Sequence, residues 1–396
     1  MSRQALDGIT VLDLGQVYHG PYAGLLLAYL GADVIKVEPT FGEQLRERVE
    51  PGREPAELVM LNSSKRGIAL DLKADRGKEL FKDLVTDVDV LIENFSTDTM
   101  AGLGLGYETL SEINPELIYA HGSGYGETGP YRNYPAMDLT IQAMSGVIST
   151  TGFEDGPPVK TGVAIGDFIG GVHLAAGILA ALFQRTVTGE GQFVEEAMLD
   201  SIYPAMTSAM AAHFDDEDAP QRTGNRHSGL ARCPYNVYEA ADGYVALYCS
   251  SNDHWRALTE VLDRPDLLED PRFETNVDRV EHMETVDAIV EDWTREHEKA
   301  DAADALLAAG VPAAPVKTVE EVIHDPHLAE RGMSVPIEHP KYGPIRVPGP
   351  PIRLGDSADP AVEPAPTKGQ DSRDVLRERL GLDEADLDAL EAEDVI

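Results

Sequence analysis

Asp167 is the one formally charged residue in the run VAIGDFIGGVHLAAGILAAL, residues 163–182. Its neighbours are apolar or small, and an ionised carboxylate in such company is costly unless something holds it. Two roles would account for it. One is structural: an aspartate just ahead of a helix accepts free backbone N–H groups as an N-cap. The other is catalytic. A carboxylate at a helix N-terminus is held ionised by the dipole and the N–H donors. Gly166, Gly170 and Gly171 would let another molecule approach the backbone closely. A desolvated carboxylate facing a cleft can attack a carbonyl as a covalent nucleophile. Spare N–H groups beside it could receive the resulting oxyanion. The local pattern leaves both roles open.

Other constellations point elsewhere or nowhere. GYGETG (124–129) matches G-x-G-x-x-G and follows a strand-like run. A dinucleotide fingerprint must then open a helix, and Pro130 and Pro135 block that. The stretch reads instead as a glycine loop shaping a pocket at the C-terminal end of a strand, where open α/β sheets hold their ligands. The 11 histidines show neither H-E-x-x-H nor Cys/His ligand spacing, so no metal is expected. No G-x-S-x-G elbow occurs. Cys233 and Cys249, the two cysteines, read as small buried apolar residues outside any disulfide framework.

The elements that must position Asp167 follow from hydrophobic periodicity. Residues 9–15, 33–38, 67–72, 89–94 and 117–122 read as strands, with helices over 21–32 and 74–87. This alternation predicts an α/β fold with a doubly wound parallel sheet. Residues 168–185 are apolar on most sides and predict a buried helix; a strand over 191–201 and a long helix to about 213 follow. After the polar break at 215–234, YNVYEAADGYVALYCS (235–250) predicts a hairpin on its Asp-Gly turn. The expected organisation is a large domain over 1–214, a small domain over 225–325, and a return to the large domain over 326–396. Residues 311–326 form the return connection, and an acidic helix over 374–394 closes the chain.

Composition bounds the function. There are 70 acidic against 32 basic residues, a net charge of −38, spread along the whole chain of 396 residues. Tight nucleic-acid binding, which needs basic patches, is excluded. The surface reads as one adapted to high salt, where screening removes self-repulsion. No apolar run reaches the length of a membrane span, and the N-terminus has no signal-peptide pattern. A cytoplasmic location is expected.

Several stretches together resemble one family. LDGITVLDLGQVYHGPYAGLLLAYLGADVIKVE, NSSKRGIALDLK, VLIENF, GYGETGPY and GDFIGGVHLAAGILAALFQRTVTGEGQ are similar to class III CoA-transferases, the formyl-CoA transferase and carnitine CoA-transferase (CaiB/BaiF type) group, from about residue 5 to 345. The resemblance implies a Rossmann-like large domain with a parallel sheet, a smaller α+β domain and an interlocked, ring-like homodimer. It places the family's catalytic aspartate on Asp167, which would carry an aspartyl-CoA thioester. It also implies CoA contacts at Leu70, Asp71, Leu72 and Lys73, at Asn94, Phe95 and Ser96, and at Gly124 and Tyr125. Lys65, Arg66 and Arg46 are expected phosphate partners by charge. Gln16, Tyr18, His19, Gly170, Gly171 and Arg226 are expected around the acyl group. A CoA thioester would be a substrate, with no permanently bound cofactor.

The chain departs from that family's formyl-CoA transferases at four places. Pro39 and Gly102 stand where phosphate-binding arginines occur, Ser123 where a lysine occurs and Tyr18 where a glutamine occurs. The nucleotide end must therefore be held differently, and formyl-CoA/oxalate specificity is not expected. Succinyl-CoA as donor and a C4–C5 dicarboxylate as acceptor (mesaconate, citramalate, malate or itaconate) are the expected pair, with His19 or Arg226 receiving the second carboxylate. The alternatives are intramolecular transfer within one dicarboxylate, 2-methylacyl-CoA racemisation on the same fold, and a non-catalytic CoA-binding protein. Racemases pair the aspartate with a histidine in a GHD motif; Met137 occupies that place here and cannot move a proton.

Overall fold

The computed structural model describes residues 4–50, 53–358 and 360–396. Six strands form one sheet: β1 (Thr10–Asp13), β2 (Asp33–Glu38), β3 (Arg66–Ala69), β4 (Val90–Glu93), β5 (Ile118–Ser123) and β6 (Gln192–Ala197). Their order is β3-β2-β1-β4-β5-β6, with every neighbouring pair parallel. That is a doubly wound sheet whose direction of winding reverses between β1 and β4, and the crevice at that reversal is where such folds place ligands.

The strands are buried on both faces because their side chains alternate between two cores. Leu12, Ile35 and Leu91 point into one core, shared with Leu80, Phe81 and Leu84 of the helix α2 (Asp75–Val85). Val11, Val34, Val90 and Ile92 point into the other, with α1 (His19–Tyr29) and α3 (Ile165–Thr188). Leu174, Ile178 and Leu182 anchor α3 there.

The chain divides into two compact units. The first comprises Met1–Ile141, Val163–Pro204 and Ile323–Ile396; the second, Gln142–Gly162 and Ala205–Val322. The second unit thus also takes residues 142–162, which precede α3 in sequence. It has an antiparallel sheet of β7 (Tyr235–Ala240), β8 (Gly243–Tyr248) and β9 (Ala313–Pro315), the first two joined at Asp242-Gly243. Tyr238, Leu247, Trp255, Phe273, Val290 and Leu306 build its core.

Four expectations are corrected. The stretch after β6 is not one long helix but Met198–Ile202, a 3₁₀ turn over Tyr203–Met206, and Thr207–Asp215; Pro204 has no N–H to continue the first helix. Residues 311–326 are more than a connection, since Ala313–Pro315 completes the small sheet. The closing segment is two helices, Ser372–Leu380 and Glu384–Ala392, separated at Gly381 (φ +69°). Helix α3 is only half buried: Val172, Phe183 and Val187 are exposed. Among the described residues it is the one helix long and apolar enough to cross a membrane.

Candidate active site

The C-terminal ends of β1, β4 and β5 open into a cavity of about 530 Å³. The loop after β1 contributes Gln16, Val17 and His19; the loop after β4, Asn94, Phe95 and Ser96; the end of β5 and its loop, Ser123, Gly124 and Tyr125. Asp167 lines the same cavity from the first turn of α3, with Met137 and Met198 nearby.

The loop after β1 is held under strain. Val17 has φ +63°, a left-handed conformation costly for a β-branched residue. Its neighbours fix it there: the Gln16 N–H donates to Asn94 Oδ1 at 2.7 Å, and Asn94 Nδ2 donates to the Gln16 carbonyl at 3.0 Å. The Val17 N–H donates to Glu43, and Lys36 Nζ to the Gly15 carbonyl. The expected contact residues Gln16 and Asn94 therefore also brace one another.

Asp167 is 8% exposed. Burial pushes its carboxyl up to about 6; His19 pulls the value down and Asp138 adds to the rise. The N-cap expectation is corrected: the N-cap position is Ala164, and Asp167 lies within the first turn. The helix end is capped from elsewhere, since the Gly166 N–H donates to Asp138 Oδ1 at 2.8 Å. The Ile165 and Phe168 N–H groups donate to the carbonyls of Val163 and Ala164, so the expected spare donors for an oxyanion are largely occupied. The glycines do not open the backbone to a ligand either. A methyl on Gly171 would lie 2.8 Å from the His19 carbonyl, and one on Gly170 would lie 3.0 Å from His19 Nε2, so both glycines admit α1 and its first residue.

His19 is buried and its Nε2 lies 2.6 Å from Glu196 Oε2. Ser201 Oγ donates to the other oxygen, Oε1. Tyr18 stands just before α1 with its ring 6.2 Å from that of Phe168, and Tyr22 packs on Phe168 at 4.8 Å. These rings flank the residue next to Asp167.

The cations expected at phosphates each have carboxylate partners within the protein. Lys65 is buried, 2.7 Å from Asp13 Oδ2, and also donates to the Pro21 carbonyl and Asn62. Burial pushes its ammonium down to about 8 despite Asp13. Arg46 is held between Glu38 and Glu54, and Arg66 between Asp33 and Glu378. Arg226 belongs to the second unit, where Asp287 and Glu284 take its guanidinium. Of the 70–73 segment, Leu70 is buried and its N–H bonds the Glu38 carbonyl; Asp71 accepts from the Lys73 N–H, Leu72 is half-buried and Lys73 is exposed. None of these four lines the cavity.

Sequence reasoning missed Asp138, Glu196, Ser201 and Arg132. Among the described residues, Arg132 is the one lysine or arginine lining the cavity, and Asp167 the one carboxylate. Arg132 reaches Asp98 at 3.3 Å and Glu127 at 3.6 Å, but its buried Nε–H has no acceptor among the described residues. It lies in PYRNYP, directly after the glycine loop 124–129.

A model of CoA-transferase family III matches residues 6–372. The chain belongs to CoA-transferase family III. It is 38% identical over 385 residues to the succinyl-CoA:mesaconate CoA-transferase of Haloarcula hispanica, covering 94% of this chain and 96% of that one. It is 36% identical over 414 residues to the formyl-CoA:oxalate CoA-transferase of Streptomyces coelicolor, with both chains fully covered. A crystal structure of a CaiB/BaiF family protein from Brucella suis superposes with a TM-score of 0.84 at 34% identity, over 95% of this chain and 99% of that one. The family's CoA thioesters are thus substrates to be seated in this family III fold.

Proposed function

We propose that this protein transfers CoA from succinyl-CoA to a small free C4–C5 dicarboxylate, such as mesaconate, citramalate, malate or itaconate, through an aspartyl-CoA thioester on Asp167. The observation that carries the reading is Asp167 itself, the single carboxylate lining a cavity at the reversal of the sheet. At neutral pH a carboxyl titrating at about 6 is mostly ionised and nucleophilic.

The chemistry conserves the thioester. An Asp167 oxygen attacks the donor's thioester carbonyl and the C–S bond breaks, giving a mixed anhydride and CoA thiolate. The thiolate attacks the Asp167 carbonyl, forming aspartyl-CoA and releasing succinate. The acceptor's carboxylate then attacks this thioester, and the thiolate returns to the acceptor's acyl carbon, freeing Asp167. Water would hydrolyse either intermediate, so exclusion of solvent is part of the task; the burial of Asp167 serves it. Arg132, with its unpartnered Nε–H, is the cation offered to a CoA phosphate.

A dicarboxylate acceptor is supported by the names of relatives: besides the mesaconate enzyme of Haloarcula hispanica, a succinate–glutarate CoA-transferase of Agrobacterium fabrum is 37% identical over 94% of this chain. Racemisation is disfavoured because Met137, which has no proton to move, lines the cavity where that chemistry needs histidine. The proposal further takes the protein as a cytoplasmic, salt-adapted homodimer. The net charge of −38 supports salt adaptation. The exposed Val172, Phe183 and Val187 on α3 support burial against a second copy.

The test is one incubation in D2O with molar KCl, containing succinyl-CoA and a panel of mono- and dicarboxylic acids, with a 2-methylacyl-CoA in parallel. New CoA esters matched by released succinate, seen by mass, are the expected result. Transfer only to monocarboxylic acids overturns the acceptor class. Deuterium at the α-carbon of the methylacyl-CoA without new esters overturns the transferase.

A further inference from the structure

We infer that His19, held by Glu196 and Ser201, is the residue that selects acids carrying a second carboxylate. This rests on the transferase reading above and assigns one part of the site to one ligand group.

The fold is cut to house this ring. A methyl on Gly122 of β5 would lie 2.5 Å from His19 Cε1, and one on Gly170 of α3 would lie 3.0 Å from Nε2. A side chain at Gly122 would force the imidazole to move, and one at Gly170 would press on it. Glu196 of β6 brings its Oε2 to 2.6 Å from Nε2, while Ser201 occupies Oε1 and so fixes the carboxylate's orientation. Both residues of the pair are buried. A buried ion pair is a poor way to stabilise a fold, because desolvation cancels much of the attraction. Here the ring also lines the cavity, and its second nitrogen, Nδ1, takes no hydrogen bond from the described residues. With Nε2 turned to Glu196, Nδ1 is the ring nitrogen left for a ligand in the cavity that Asp167 also lines. A linear dicarboxylate then places its reacting carboxylate at the aspartyl thioester and its second carboxylate on His19. A monocarboxylate of the same length leaves that donor unpaired, which is the stronger source of discrimination.

The experiment compares two acceptors, mesaconate and 2-methylbut-2-enoate, with succinyl-CoA as the common donor, in wild type, His19→Gln and Glu196→Gln. Wild type should prefer mesaconate. His19→Gln should lower kcat/KM for mesaconate by about 10- to 100-fold, the range of one charge-assisted hydrogen bond, and so erase most of the preference for mesaconate over the monocarboxylate. Glu196→Gln should move the preference in the same direction with His19 still present, mainly through KM for mesaconate. A purely structural role would lower both acceptors alike. Equal losses, an unchanged ratio, or a wild type without preference for the dicarboxylate overturns the inference while the transferase stands. Wild type that makes no CoA ester from any acid overturns the transferase reading, and this inference with it.

Discussion

Replacing Asp167 with asparagine should inactivate the protein and stabilise it at the same time. Burial raises the carboxyl from 3.8 to about 6. A carboxyl whose folded value lies above its unfolded value favours folding only where it is protonated, and it opposes folding as pH rises through that folded value. The penalty is about 3 kcal/mol at pH 7.5, from a rise of about two pK units at about 1.4 kcal/mol each. At pH 4.5, where the folded carboxyl is protonated and the unfolded one only partly ionised, it shrinks to about 1 kcal/mol. Asp167→Asn keeps the shape and removes the charge. Urea unfolding of wild type and variant at pH 7.5 and 4.5, in the same concentration of KCl, reads the difference. The variant should gain up to about 3 kcal/mol at the higher pH and much less at the lower. A variant less stable than wild type at pH 7.5, or one with the same gain at both values, would refute the burial argument. Residual CoA transfer near the wild-type rate would remove Asp167 as nucleophile. A stabilised, inactive variant is the expected signature of a residue kept for chemistry against the interest of the fold.

The same titration predicts that transfer falls about tenfold between pH 7 and pH 5 as Asp167 takes up a proton; a flat profile would contradict it. Lys65→Met should cost about 3–5 kcal/mol by leaving Asp13 buried and unpaired, measured by urea unfolding; a stable variant with weakened CoA affinity would restore Lys65 as a phosphate ligand. Gly170→Ala should lose most transfer with a modest fall in Tm, since the new methyl meets His19, Glu196 and Met198 at 3.0–3.1 Å; unchanged rates would show that the His19 cradle has slack. Thermal melts in 0.1 M and molar KCl should show a marked rise in Tm with salt, as a chain of net charge −38 requires; a Tm indifferent to salt would refute an adapted surface.

The alternation of strand and helix over the first 200 residues was legible because it rests on local periodicity. So was Asp167, because a lone acid in an apolar run is conspicuous without any neighbour being known. Asn94, Phe95, Ser96, Gly124 and Tyr125 were reached through family motifs, and the structure brings them to the cavity with Gln16, His19 and Asp167. Charge alone did not show what faces Lys65, Arg46 and Arg66. A cation's availability depends on what faces it, and their partners lie 52 residues away at Asp13, eight at Glu38 and 33 at Asp33.

By itself, then, the sequence determined the α/β class, the strand positions, the candidate carboxylate Asp167 and the excess of acid. Tertiary structure decided which groups surround that carboxylate. Glu196, itself held by Ser201, meets His19 only because β6 lies beside β5 and packs on α3. Asp138 caps α3 across 28 residues, and Arg132 reaches the cavity from a loop with no motif of its own. The physical reason is one of range: hydrophobic periodicity is written within a few residues, whereas desolvation, ion pairing and the raised carboxyl of Asp167 are sums over neighbours that only folding assembles.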